Sequence, residues 1–133
     1  MNRVFLDTVG MVAVWDDTDQ WHLAARAAYQ ALLAENRRLV TTSFVLCECG
    51  NTAARRPYRA DVSELRRYLI REQLLVDPTP EEVEDAWADY DRGSAGEAGI
   101  VDYLSFRVMR RLGLTEAFTN DQHFQAAGFT TLF

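Results

Sequence analysis

Arg3-Val4-Phe5-Leu6-Asp7-Thr8 places three consecutive apolar residues directly before a carboxylate. A run this short and this apolar suits a strand buried on both faces better than an amphipathic helix. The charge then falls at the carboxyl edge of a sheet. The pattern recurs at Ala117-Phe118-Thr119-Asn120-Asp121, where a second short apolar run leads to an aspartate. Two further acids, Glu48 and Asp102, lie early in helix-like segments that begin near Ser43 and Gly99. If the strands share one sheet, Asp7, Glu48, Asp102 and Asp121 converge at its edge, which is costly unless a cation compensates them.

Outward from these acids, strand and helix signals alternate along the chain. Residues 3–6, 39–41, 74–76, 116–118 and 130–132 read as strands. Helices are expected at 21–35, from a cap at Ser43 with Phe44 and Cys47 on its packing face, at 61–73, from Thr79-Pro80-Glu81-Glu82, at 100–112 and at 123–127. Pro57 breaks the second of these, Gly113 ends the helix that starts at Ile100, and residues 93–99 form a glycine-rich loop. Alternation of this kind implies an α/β fold with a central, mostly parallel sheet of about five short strands flanked by helices on both faces. In such sheets the functional crevice lies beyond the carboxyl ends of the strands.

The chain has 133 residues and 48% hydrophobic content, which fits a single domain spanning 1–133. No apolar run approaches the roughly 20 residues that span a bilayer, and no basic, apolar, cleavable leader is evident. The expectation is a soluble cytoplasmic protein. Its two cysteines, Cys47 and Cys49, flank Glu48, face different sides of a helix and read as buried free thiols.

The net charge of −6 argues against nucleic-acid binding by bulk attraction, but the charge is unevenly spread. Residues 55–71 carry six arginines (Arg55, Arg56, Arg59, Arg66, Arg67 and Arg71) against two acids, whereas residues 77–97 carry eight acids and one arginine. Taken singly, each run reads as a solvated helical face. The arginine run is nevertheless the candidate surface for RNA phosphates or an acidic partner segment. All 14 basic residues are arginine. Without lysine the chain lacks the means for a Walker A phosphate loop or for Schiff-base catalysis. Hard oxygen ligands suit Mg²⁺ or Mn²⁺ better than zinc.

Four segments carry a family resemblance: Val4-Phe5-Leu6-Asp7-Thr8, Thr42-Ser43-Phe44-Val45-Leu46-Cys47-Glu48, Ile100-Val101-Asp102-Tyr103-Leu104-Ser105-Phe106 and Thr119-Asn120-Asp121-Gln122-His123-Phe124. In this order they resemble PIN-domain ribonucleases, and among them the VapC-like toxins of toxin–antitoxin pairs. The resemblance covers essentially the whole chain. It implies a PIN-like fold in which Asp7, Glu48, Asp102 and Asp121 bind Mg²⁺ or Mn²⁺ and are the catalytic acids, with Thr119 assisting the last of them. It also implies an RNA substrate, a cognate antitoxin and a homodimer. One departure is Gly99, which stands three residues before Asp102 where the family usually has serine or threonine. Glu97, in the same loop, is a minor candidate for reaching the site.

The chemistry implied is hydrolysis of an RNA phosphodiester bond without a covalent intermediate. Ser105 and His123 have no context for a nucleophilic triad, and both His22 and His123 read as surface or capping residues near helix starts. Trp15, Trp21 and Trp87 read as core or interface side chains. A haloacid-dehalogenase-type phosphatase is excluded, because Val9 occupies the position of its second aspartate and its lysine is lacking. The alternatives left open are a solitary RNA-processing PIN nuclease and a PIN-like module that binds RNA or protein without cutting.

Overall fold

In the computed structural model, which describes residues 2–133, the opening apolar run forms β1 (Arg3–Leu6), with Val4, Phe5 and Leu6 completely enclosed. It lies between β2 (Arg38–Val40) and β3 (Glu116–Phe118), and β4 (Thr130–Thr131) adds to the far side of β3. The order β2-β1-β3-β4 is parallel throughout, with Phe5 opposite both Val40 and Ala117. Connections leave β1 in both directions, so the crevice where strand order reverses opens between the carboxyl ends of β1 and β3. Asp7 and Thr119 immediately follow those ends.

Four strands are formed among the described residues rather than five. The expected strand at 74–76 contributes a single parallel bridge, Thr41 to Leu75, with Val76 N–H donating to Thr41 C=O at 2.8 Å. Pro78 follows almost at once and restricts Asp77 to extended backbone, while the chain turns away to start the next helix.

Among the described residues seven helices flank the sheet: α1 (Thr8–Trp15), α2 (His22–Ala34), α3 (Ser43–Ala53), α4 (Arg59–Arg71), α5 (Pro80–Arg92), α6 (Ile100–Leu112) and α7 (Gln122–Ala126). Helix α1 is absent from the sequence-based expectation because Val9, Met11, Val12, Ala13, Val14 and Trp15 are apolar on every side and give no 3.6-residue period. It passes so near β3 that a Cβ on Gly10 would lie 2.1 Å from the Phe118 carbonyl oxygen. Only glycine fits there. Helix α5 starts as expected, with Thr79 and Glu82 forming a reciprocal capping box.

Three local expectations are corrected. The cap of α3 is Thr42, whose hydroxyl accepts from Val45 N–H, while Ser43 donates through its N–H and hydroxyl to the Asp77 carboxylate. The buried face of α3 is accordingly Val45, Leu46, Cys49 and Ala53, leaving Phe44 and Cys47 exposed. Only Cys49 is a buried thiol, and burial pushes it up to about 12.

The acids of α5 are partly paired instead of forming a wholly solvated face. Asp89 is buried and receives a bidentate bond from Arg107 of α6 at 2.7 and 2.8 Å, with Arg92 on the same carboxylate, and Glu82 receives Arg111 at 2.8 Å. Trp15 is half-buried and stacks on Tyr58, whereas Trp21 and Trp87 are surface residues. Among the described residues no helix is long and apolar enough to cross a membrane.

Candidate active site

Asp7 caps the transition from β1 to α1 and is 1% exposed. Its Oδ2 accepts from the Thr119 hydroxyl at 2.8 Å. That hydroxyl in turn accepts from Asp121 N–H at 3.1 Å, so one buried threonine fixes the acid after β1 and the turn that carries the acid after β3. Asp121 caps α7, its Oδ1 accepting from His123 N–H at 2.8 Å. From α3, Glu48 extends towards the same crevice and accepts at 2.7 Å from the hydroxyl of Thr8, the residue after Asp7. Asp102 approaches from the first turn of α6.

The structure brings all four acids to one cleft of about 350 Å³, lined also by Thr8, Val9, Asn51 and Thr52. Among the described residues no arginine pairs with any of the four, and the only basic group in contact is His123, whose Nδ1 lies 3.0 Å from Asp121 Oδ1. The electrostatic consequence is large. Asp7 is raised to about 7, chiefly by burial and next by the Asp102 charge, with Asp121 and Glu48 adding to it and the Thr119 hydrogen bond opposing. Asp102 also rises to about 7, through burial and then the charges of Asp121 and Glu48, against a lowering contribution from the Gly99 backbone.

A group of carboxylates in this condition fits a divalent cation. The donors are all hard oxygens at the acid cleft, two of the acids hold protons near neutrality for want of compensation, and no side-chain cation takes that role. A ligand atom from each of Asp102, Asp121 and His123 can be chosen such that all three lie within 4.8 Å of one another.

Several site residues escape a reading of sequence alone. Thr8 orients Glu48, a role signalled only by its place directly after Asp7. Asn51 and Thr52 follow Glu48 by three and four positions, a helical spacing that puts them on its face. His123 meets Asp121 with its ring, while the capping itself is performed by Asp121. Glu97 is exposed and lines an adjoining cleft of about 550 Å³ with Asp121 and His123.

All six candidate arginines are exposed. Arg56 pairs with Asp16, Arg59 bonds the Ala54 carbonyl and Arg71 meets Glu72, whereas among the described residues the side chains of Arg55, Arg66 and Arg67 make no ion pair or hydrogen bond. Arg66 lines a groove between α3 and α4 with Ser43, Leu46 and Cys47, along the helix that carries Glu48.

Comparison with known proteins places the chain in a family. The family model described as PIN domain matches residues 4–130. The 23S rRNA-specific endonuclease VapC20 of Mycobacterium tuberculosis is 30% identical over 127 residues, covering 95% of each chain, in two strains. The crystal structure of VapC20, described as a sarcin–ricin loop cleaving toxin, superposes with a TM-score of 0.76 at 28% identity over 96% of both chains. FitAcB from Neisseria gonorrhoeae shares the fold, with a TM-score of 0.65 at 16% identity over 98% of this chain and 96% of its own. With a matching fold, a matching sequence model and four acids at the strand-order reversal, this chain belongs to the PIN-domain family.

Proposed function

We infer that the protein is a metal-dependent endoribonuclease whose ion-binding catalytic centre consists of Asp7, Glu48, Asp102 and Asp121. The observation that carries this reading is the convergence of four carboxylates, from four separate elements, on one cleft that contains no arginine. Mg²⁺ or Mn²⁺, when bound, supplies positive charge for a phosphate and lowers the pKa of a water that attacks phosphorus. The protein's own residues hold and aim the ligands. Thr119 fixes Asp7, Thr8 fixes Glu48, the helical turn after Gly99 presents Asp102, and the capping turn of α7 presents Asp121. Asn51 and Thr52, exposed on the cleft wall, offer amide and hydroxyl groups to the substrate backbone. No residue is placed as a covalent nucleophile, and the expected products carry 5′-phosphate and 3′-hydroxyl ends.

Similarity to VapC20 makes 23S ribosomal RNA the first substrate to assay and supports the role of a toxin held in check by a cognate antitoxin. Arg55, Arg66 and Arg67, exposed and unengaged among the described residues, are the arginines best disposed to meet phosphates or an acidic antitoxin segment. A groove of about 350 Å³ between α1, α2 and α4, lined by Met11, Trp15, Tyr29, Leu33, Leu65 and Tyr68, supplies apolar surface for a protein contact such as a homodimer. The test is cleavage of ribosomal RNA with Mg²⁺ or Mn²⁺ by the wild type and by Asp7→Asn. Loss of cleavage in the variant is expected. Equal activity of the two sinks the catalytic assignment.

A further inference from the structure

His123 was not among the acids that define the site, and the cleft they form does not use it. Its ring nevertheless touches Asp121, and it lines the adjoining cleft of about 550 Å³, which meets the acid cleft at Asp121. Resting on the functional reading above, we propose that His123 is a metal ligand, completing with Asp102 and Asp121 a mixed nitrogen and oxygen site that takes a first-row transition ion in preference to Mg²⁺.

The geometry is that of a coordination shell slightly relaxed. Two ligands about 2.1 Å from one ion and at right angles to each other are about 3.0 Å apart, and ligands on opposite sides about 4.2 Å. The imidazole Nδ1 and Asp121 Oδ1 are 3.0 Å apart, and one donor atom from each of the three residues can be chosen so that all lie within 4.8 Å of one another, close to the span of a single coordination shell. His123 is restrained for this role by the hydrogen bond from its own N–H to Asp121, which fixes the two residues relative to each other. Its ring is 39% exposed, which leaves an entry path for the ion.

The donor set decides the ion. Mg²⁺ prefers oxygen ligands and gives up water reluctantly, so an imidazole adds little to its binding. First-row transition ions accept imidazole nitrogen readily. Asp7 and Glu48 offer oxygen alone, whereas the outer group of Asp102, Asp121 and His123 offers nitrogen as well. Asp102 and Asp121 belong to both groups, so an ion in the outer one also compensates charge in the cleft that Asp7 shares.

The experiment is Mn²⁺ binding to untagged protein, followed by electron spin-echo spectroscopy for coupling to imidazole ¹⁴N. The wild type is expected to show ¹⁴N modulation on bound Mn²⁺. His123→Gln is expected to lose it and to weaken Mn²⁺ binding by about tenfold, with Mg²⁺ affinity changed less than twofold. His22 is the only other histidine, and its Nδ1 sits 2.8 Å from the Ala13 carbonyl. His22→Gln is therefore expected to retain the modulation. Mn²⁺ bound to the wild type without ¹⁴N modulation, or modulation that survives His123→Gln, overturns the proposal and leaves the acidic centre standing. Absence of any divalent-ion binding to the wild type overturns the acidic centre as well.

Discussion

The Thr119 hydroxyl donates to Asp7 Oδ2 at 2.8 Å across 112 positions of sequence, and both residues are buried. This one contact joins the ends of the two central strands at the point where the acids meet. Thr119→Val keeps the shape but leaves Asp7 without its donor and Asp121 N–H without its acceptor. The expected cost is about 1–3 kcal/mol in urea unfolding, together with a fall in RNA cleavage, since two of the four acids lose their restraint. Unchanged stability and unchanged cleavage would show that Thr119 is not needed at this junction.

The raised pKa of Asp7 has a sign that can be checked. Its folded value of about 7 lies above the ordinary 3.8, so between these values the folded chain holds a proton that the unfolded chain has lost. Without divalent ions this residue therefore lowers stability as pH rises through that window, by up to about 1.4 kcal/mol per pH unit. Asp7→Asn removes this residue's share of the dependence, while Asp102, also raised to about 7, keeps its own. Metal-free wild type is expected to be less stable than the variant at pH 8, with the gap closing towards pH 4 and also closing on addition of Mn²⁺. A difference independent of both pH and metal contradicts the electrostatic account.

The depressed value at Asp89 acts in the opposite sense. The Arg107 hydrogen bonds hold its carboxyl below the ordinary range. Its stabilising contribution is present above the unfolded pKa of 3.8 and is lost as pH falls through the lower folded value. Arg107→Ala leaves a buried carboxylate with Arg92 alone. It is expected to destabilise the protein by about 2–4 kcal/mol at pH 7 and by clearly less at a pH acidic enough to protonate the paired carboxyl, as measured by denaturant midpoint. Equal loss under neutral and acidic conditions would assign the effect to packing.

Two glycines give opposite results on replacement by alanine. Gly10→Ala places a methyl 2.1 Å from the Phe118 carbonyl oxygen and must push α1 away from β3. A loss of about 3 kcal/mol or more and reduced cleavage are expected, because Asp7 and Thr119 lie at that contact. Gly50 lies in α3, and a methyl added to its Cα would have no neighbouring atom within 4 Å. Gly50→Ala is expected to stabilise by about 0.5–1 kcal/mol. Urea unfolding of the two variants compares them directly.

Arg66 and Arg67 are expected to serve substrate binding rather than chemistry. Exchange of Arg66 for Glu reverses charge in the groove beside α3 and is expected to raise KM for RNA about tenfold while kcat stays within about twofold. The salt dependence of cleavage should become shallower. A fall in kcat alone, with KM unchanged, rules out a role in holding phosphate.

Much of the candidate site's placement was legible because strand ends are punctuated by composition. Val4-Phe5-Leu6 before Asp7 and Ala117-Phe118 before Thr119 are apolar runs with one physical interpretation each, and parallel strands align their carboxyl ends. The parts that were not legible fail for equally specific reasons. Helix α1 lacks a polar face, so periodicity cannot reveal it. The strand expected at 74–76 has the right residues but only Thr41 to pair with. The contact between Thr8 and Glu48 spans 40 positions, and the one between Gly10 and Phe118 spans more than twice as many. No local pattern encodes contacts of that kind.

The pairing of β1 with β3 also sets when during synthesis the enzyme comes into being. A nascent chain that has emerged only as far as α6 already carries Asp7, Glu48 and Asp102, but one edge of β1 is still open and neither Thr119 nor Asp121 is in place. The cleft is complete only after β3 has been translated and has docked beside β1. The acid cleft is thus a product of chain order: three of its carboxylates precede β3, and the fourth is positioned only by the turn that follows that strand.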